Sequence, residues 1–342
     1  MKLCHSAIRT PNMCGLYEST RELVAGLRGL GVDARIVDPA PMAQFAPAPK
    51  EDRGVPIADM DWGVTADLVL SHSGHDGTPL GESQQPILHI QHGRPVSTWL
   101  MERGGGAPAY TYMTARAKVS RYRGAVTFWP EYEPILRELW NPKPVYVVPP
   151  SVDLEYWAPQ LTTYRFAGRK GEYNVVMTDP WSREDTNPIL AVHAFALFRR
   201  IVPNARLHIY ALDGNTKGLQ ALKAMLGDSL GVVQGWAKDL RSVYAAADML
   251  ITPHRIYTRA VREAMAMDLQ VVSGRDVHPE NIEAFALAMA DRMERPQPTR
   301  KLAEVLFDPK VTAREFLAVA KAAVERGRTG LHLSGQEASG GH

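Results

Sequence analysis

The sequence is poor in cysteine. Its 342 residues include Cys4 and Cys14 alone, too few for the disulfide framework of a small secreted domain, so a reducing compartment is expected. It also lacks an apolar run approaching the roughly 18 residues that a spanning helix needs. Arg9 falls where a signal peptide would have its apolar stretch, and the expectation is a cytoplasmic protein. Charge of one sign is missing too: 39 Lys and Arg face 37 Asp and Glu, a net +2, so global charge argues for neither nucleic acid nor membrane as partner. Histidines 72, 75, 89 and 92 match no standard zinc spacing, and no metal is expected. With 45% hydrophobic and 22% charged residues, the composition is that of an ordinary globular protein, long enough for about two domains of roughly 150 residues.

What is present is alternation. Short apolar, β-branched runs (Lys2–Ile8, Ala34–Val37, Asp67–Ser71, Pro86–Gln91, Ala125–Phe128, Val145–Val148) are separated by helical periods such as Leu16–Leu30, which stops at Gly31. The second half repeats the pattern, with strands expected at Asn174–Met177, Arg206–Tyr210, Val232–Gln234, Met249–Thr252 and Gln270–Ser273. Helices are expected at Pro188–Ile201, Thr216–Leu226, Asp239–Ala247, Ala260–Met267 and Pro279–Met293. This is the signature of parallel sheets covered by helices, an α/β chain of two Rossmann-like, doubly wound domains. The Pro-rich stretch around 147–157 marks a boundary, giving domains 1–150 and 151–310. A last helix over 311–328 is expected to pack back towards the first domain, with a disordered tail at 329–342. Ala40–Pro56, rich in Ala and Pro, reads as a long exposed excursion.

The most informative segment runs from Val243 to Ser273. It reads as helix, strand, loop, a helix opening at Thr258, and strand. Free backbone N–H groups and the positive dipole end at Thr258–Val261 suit an anion. Arg255, Arg259 and Arg262 add charge there, enough to hold a diphosphate without a metal. Glu263 could accept hydrogen bonds from two ribose hydroxyls. Gly15, with no side chain at a helix N-terminus, would let backbone N–H groups approach phosphate. His92 ends the run Pro86-Ile-Leu-His-Ile-Gln-His92, at the carboxyl end of a strand where sites form.

Four stretches in order resemble the family 4 glycosyltransferases, which have the GT-B fold: Val148–Trp157, Asp185–Tyr210, Val233–Asp248 and Val243–Ser273. Cys14–Leu23 sits where that family has its Gly-rich loop. The resemblance implies two domains facing across a cleft, the first for the acceptor and the second for a nucleotide-sugar donor. It further implies transfer with retention and without a metal or other cofactor, a UDP-sugar serving as co-substrate. Carried onto this sequence, Gly15, Arg183, Arg255, Thr258, Arg259 and Glu263 would bind the donor, and His92 and Arg183 would serve catalysis.

The chain also departs from the pattern. Arg255 stands where the family has the first Glu of a Glu-seven-Glu motif. Thr186 stands at its lysine position, with Arg183 the nearest substitute, and the Gly-rich stretch after Val272-Ser273 is absent. An alternative follows: a nucleotide-sugar-binding protein without turnover. A second alternative comes from Arg94–Arg123, where Arg94, Arg103, Arg116, Lys118, Arg121 and Arg123 face Glu102 alone among interleaved aromatics. That patch, with Arg94, Arg116, Arg121 and Arg123 as acceptor-binding candidates, suits an anionic acceptor. It could be DNA carrying a hydroxylated base or a peripheral membrane surface; a glycan, a lipid-linked acceptor or a small molecule stays equally open. Asp59-Met-Asp61, formally an Asp-X-Asp metal motif, precedes a strand rather than following one and is set aside.

Overall fold

The structure is a computed structural model that describes residues 1–7, 15–38, 51–72, 85–92, 117–166, 171–179, 187–211, 216–235 and 237–336. The chain divides into two compact units. The first takes in Met1–Ser151 and the chain from Pro309 onward; the second is Val152–Asp308.

Unit 1 is built on an eight-stranded sheet. In chain order its described elements are β1 (Lys2–Ser6), α1 (Gly15–Gly29), β2 (Asp33–Val37), β3 (Glu51–Asp52), β4 (Val55–Ala58), α2 (Met60–Gly63), β5 (Leu68–His72), β6 (Ile87–Gln91), β7 (Tyr122–Thr127), α3 (Glu133–Trp140) and β8 (Val145–Val147). The sheet order is β3-β4-β2-β1-β5-β6-β7-β8. Every pairing is parallel except β3 with β4. The central strands read as unbroken apolar or β-branched runs because helices cover both faces; Leu68, Val69 and Leu70 are all buried.

Two expectations are corrected here. Residues 51–56, read as part of an exposed excursion, carry the β3–β4 hairpin, and Val55 is buried against the sheet. Pro56 hid the strand, since proline demotes a run to an edge position, and an edge is where this hairpin lies. The last helix, α10 (Pro309–Gln336), continues through Gly327 and Gly330 into the stretch read as tail. It lies in unit 1, where Phe316 tilts against the His5 ring and the Arg326 guanidinium sits 5.8 Å from the Tyr146 ring centre.

Unit 2 holds a five-stranded parallel sheet with the order β11-β10-β9-β12-β13. Its elements are β9 (Tyr173–Met177), α4 (Ile189–Ile201), β10 (Ala205–Ile209), α5 (Thr216–Leu226), β11 (Leu230–Val233), α6 (Leu240–Ala246), β12 (Met249–Thr252), α7 (Arg259–Ala266), β13 (Gln270–Ser273), α8 (Ile282–Glu294) and α9 (Thr299–Leu306). Strand alternation splits the core in two. Val175, Met177, Met249 and Ile251 pack with Phe195, Phe198 and Phe285 on one face. On the other face Val176 and Leu250 pack with Trp157, Tyr244 and Phe307. Helix α9 falls in a stretch for which no helix was expected. Its Arg300 donates to the backbone oxygens of Leu154, Trp157 and Ala266, tying the helix to the start of the unit.

Candidate functional site

Sheet order determines where a site can form. In unit 2 the chain leaves β9 for β10 and β11 on one side, then crosses to β12 and β13 on the other. The carboxyl ends of β9 and β12 therefore border the point where ligands of open α/β sheets bind. Asp179 follows β9; Thr252 ends β12, and His254 follows it. The buried Asp179 carboxylate joins them. Its Oδ1 accepts the Thr252 hydroxyl at 2.8 Å and lies 3.1 Å from His254 Nε2. Its Oδ2 is buried with no hydrogen-bond partner among the described residues. The contact places the His254 proton on Nε2 and fixes the ring. The His254 amide in turn donates to Thr252 Oγ1 at 3.2 Å.

The loop that follows delivers the chain to α7. A Cβ on Gly274 would lie 2.3 Å from the Pro253 carbonyl oxygen, so the end of β13 can approach this loop only as glycine; the Gly274 amide donates to Thr252 O at 3.0 Å. Thr258 is the N-cap of α7, its hydroxyl accepting from Val261 N–H at 3.5 Å. Arg255 is exposed on the loop, whereas Arg262 and Glu263 are buried. Arg259 Nε meets Glu263 Oε1 at 2.5 Å. The two residues expected to grip diphosphate and ribose thus form a shielded ion pair with each other, as i and i+4 spacing on a helix permits. Beneath them Tyr244 Oη lies 3.3 Å from Thr178 Oγ1. Burial pushes its phenol well above the ordinary range, and the negative charges of Glu263 and Asp179 push the same way.

Unit 1 has an equivalent reversal between β1 and β5, and three histidines gather there. His5 Nδ1 is 3.0 Å from His72 Nε2. His72 Nδ1 is 2.7 Å from His92 Nε2 and 3.0 Å from Thr20 Oγ1 on α1. The Thr20 hydroxyl also reaches Leu16 O at 2.9 Å. The Trp129 indole N–H donates to the His92 carbonyl at 3.1 Å. Gly15 opens α1, the helix that carries Thr20. His89 and Gln91, two residues apart on β6 and so on one strand face, meet at 3.0 Å.

Arg121 and Arg123 lie apart from this cluster. Arg121 immediately precedes β7 and its Nε donates to Gln85 O at 3.3 Å, at the amino edge of the sheet. Arg123 is the second residue of β7. Arg94, Arg116 and Arg183 lie outside the described residues. Among the described residues, no group of three or more His, Cys, Asp or Glu is arranged to hold a metal ion, and no helix is long and apolar enough to cross a membrane.

Asp179, His254, Tyr244, His5, His72 and Thr20 received no site role from sequence reasoning. For Asp179, His254 and His72 a signal existed, because each stands at or just after the carboxyl end of an expected strand bordering a reversal.

Residues 179–295 match the family model described as Glycosyl transferases group 1, so the match begins at Asp179 and spans His254, Arg259 and Glu263. The comparison with curated proteins gave no match. Among solved structures the chain resembles Alr3699/HepE of Anabaena, solved in complex with UDP and glucose, at 12% identity and a TM-score of 0.68. That alignment covers 94% of this chain and 99% of the other. The same protein has been solved with UDP-glucose. A glycosyltransferase from Rickettsia africae aligns at 12% identity and a TM-score of 0.66, covering 94% and 98%. AviGT4, a glycosyltransferase involved in avilamycin A biosynthesis, aligns at 16% and 0.60, covering 95% and 98%. The chain has the GT-B fold, and the stretch of its second unit from 179 to 295 is similar to the group 1 glycosyltransferases.

Proposed function

We propose that this protein transfers a sugar from a UDP-linked donor to an acceptor hydroxyl, with retention and without a metal ion. The observation that carries the reading is the arrangement at α7: a capped helix N-terminus at the carboxyl end of β12, with Arg259 and Glu263 paired behind it. Helix N-termini favour anions through their oriented N–H groups, and the expulsion of a nucleoside diphosphate is a problem of stabilising developing negative charge. Arg259, Arg255 and the amides near Thr258 serve the diphosphate, Arg183 joins them, and Gly15 admits phosphate to the start of α1. A carboxylate offers about four lone-pair sites, so Glu263 retains acceptor capacity for a ribose hydroxyl while it holds Arg259. The UDP complexes of the Anabaena protein support the choice of nucleotide.

The test is a thermal-shift screen of UDP-, GDP- and ADP-sugars, with released nucleotide measured in parallel, for the wild type and Glu263→Gln. A ligand at a hundredfold excess over its dissociation constant stabilises the folded state by about 2.7 kcal/mol. The expected result is a shift with UDP-sugars, reduced in Glu263→Gln, and nucleotide release unaffected by EDTA. Binding without release across an acceptor panel would select the binding-protein alternative. No shift with any donor would refute the proposal.

A further inference from the structure

The histidine cluster of unit 1 obeys a proton count. The Leu16 carbonyl can only accept, so the 2.9 Å contact with Thr20 uses the single hydroxyl proton of Thr20. Thr20 Oγ1 must then accept from His72, which places a proton on His72 Nδ1. A neutral His72 has a bare Nε2, and this accepts from His5 Nδ1–H. His5 Nε2 is left as a lone pair, in agreement with its being buried and without a hydrogen-bond partner among the described residues. The His72 Nδ1–H is shared with His92 Nε2 at 2.7 Å, as three-centre bonds allow. His92 Nε2 is therefore an acceptor, and a neutral His92 carries its proton on Nδ1.

The opposite assignment fails at both ends. A proton on His92 Nε2 would have to point at His72 Nδ1, removing that nitrogen's own proton and its bond to Thr20. His72 would then donate through Nε2, and His5 would carry an N–H buried without an acceptor. Unpaired buried donors are rare because each forfeits its bond to water.

From this geometry we infer that His72 is a positioning residue: with Thr20 and His5 beneath it, it fixes the tautomer of a neutral His92, whose Nε2 accepts and whose Nδ1 carries the proton. In that tautomer any donation by the His92 ring is made through Nδ1, which suits a hydroxyl or phosphoryl oxygen as acceptor. The link to catalysis rests on the glycosyltransferase reading, whereas the proton assignment does not.

Burial holds the bases neutral as well. Burial is the leading cause that brings His5 down to about 3 and His72 well below the ordinary histidine range; a positive charge on His92 would lower both further, and one on His5 or His89 would lower His72. The groups bearing on the cluster are thus His5 on β1, His72 on β5 and His89 on β6. Helix α1 carries Glu18 and Arg21, buried and paired to each other at 3.0 Å, together with buried Glu22.

Histidine-labelled full-length protein, free of donor, is recorded at pH 8 by long-range proton–nitrogen correlation spectra, with His92 identified from His92→Gln. The expected result is an Nδ1-protonated His92, with Thr20→Val and His72→Gln each admitting an Nε2-protonated population and Thr20→Ser restoring the wild-type pattern. A wild-type His92 whose neutral ring carries its proton on Nε2 would overturn the inference even if no variant folds. Because the spectra need neither donor nor turnover, they can fail while the glycosyltransferase reading stands, and the reverse.

Discussion

The Arg259–Glu263 pair gives the sharpest quantitative prediction. Their side chains are 14% and 6% exposed and meet at 2.5 Å, so neither charge is well hydrated. At an effective dielectric near 20, two unit charges about 4 Å apart attract by about 4 kcal/mol, and desolvation opposes much of that gain. Removing one partner of a buried pair costs about 3–5 kcal/mol, whereas replacing both with apolar residues of similar size is often neutral. Glu263→Met and Arg259→Met should each destabilise unit 2 by about 3 kcal/mol or more. The double variant should return to within about 1 kcal/mol of wild type, a coupling that far exceeds the few tenths expected of independent sites. Urea denaturation, with hydrogen exchange at the amides of α7 to isolate unit 2, reads all four corners of the cycle. Additive single costs would show that the two charges do not compensate each other. The same four proteins separate structure from binding: if the pair serves the donor, the double variant is stable yet shows no thermal shift with UDP-sugar.

Two further outcomes follow from the buried base of unit 2. His208 is brought down to about 4, chiefly by burial and then by Arg206, with Glu172 opposing. Its unfolded form takes a proton below about 6.5 and its folded form does not, so stability is full above pH 6.5 and falls as pH drops towards 4. At about 1.36 kcal/mol per unit, about 2 kcal/mol is lost by pH 5, and His208→Gln should flatten urea midpoints of unit 2 measured between those pH values; an unchanged slope would refute the assignment. Gly231→Ala places a Cβ 2.4 Å from the His208 ring. That ring cannot retreat, being stacked on Phe166 at 3.9 Å and bonded to Asn174 Oδ1 and Val232 N at 3.1 Å. A cost at the upper end of the 1–3 kcal/mol typical of overpacking is expected, and a denaturation midpoint equal to wild type would count against it.

The strands were legible because their chemistry is local. A run such as Met249–Ile251, buried on both faces, has to be apolar in a covered parallel sheet. The order of the strands then places Thr258 and Glu263 at a reversal without further information. Helix α9 and the β3–β4 hairpin escaped notice for opposite reasons. The first is a short helix whose Val305 and Leu306 stay exposed, which blurs its apolar periodicity. The second contains a proline that only its edge position permits. The Arg259–Glu263 pairing is legible from i and i+4 spacing on a helix, the same spacing that aims both residues at one side of α7.

What no reading of spacing supplies is which atom meets which. Asp179 lies 73 residues from Thr252 and Thr20 lies 52 from His72, and strand alternation determines only that such side chains arrive at the same sheet end. The protonation of a histidine depends on that last step. His254 has a carboxylate beneath its Nε2, so Nε2 is a donor whether the ring is neutral or charged. His92 has beneath its Nε2 an imidazole whose own proton is committed towards it, so that nitrogen is an acceptor. Two histidines that each follow a parallel strand, one in either unit, are thereby assigned opposite hydrogen-bonding roles by a single buried neighbour each. A substitution at Asp179 or His72, neither of which needs to touch a ligand, should change what the histidine above it can recognise.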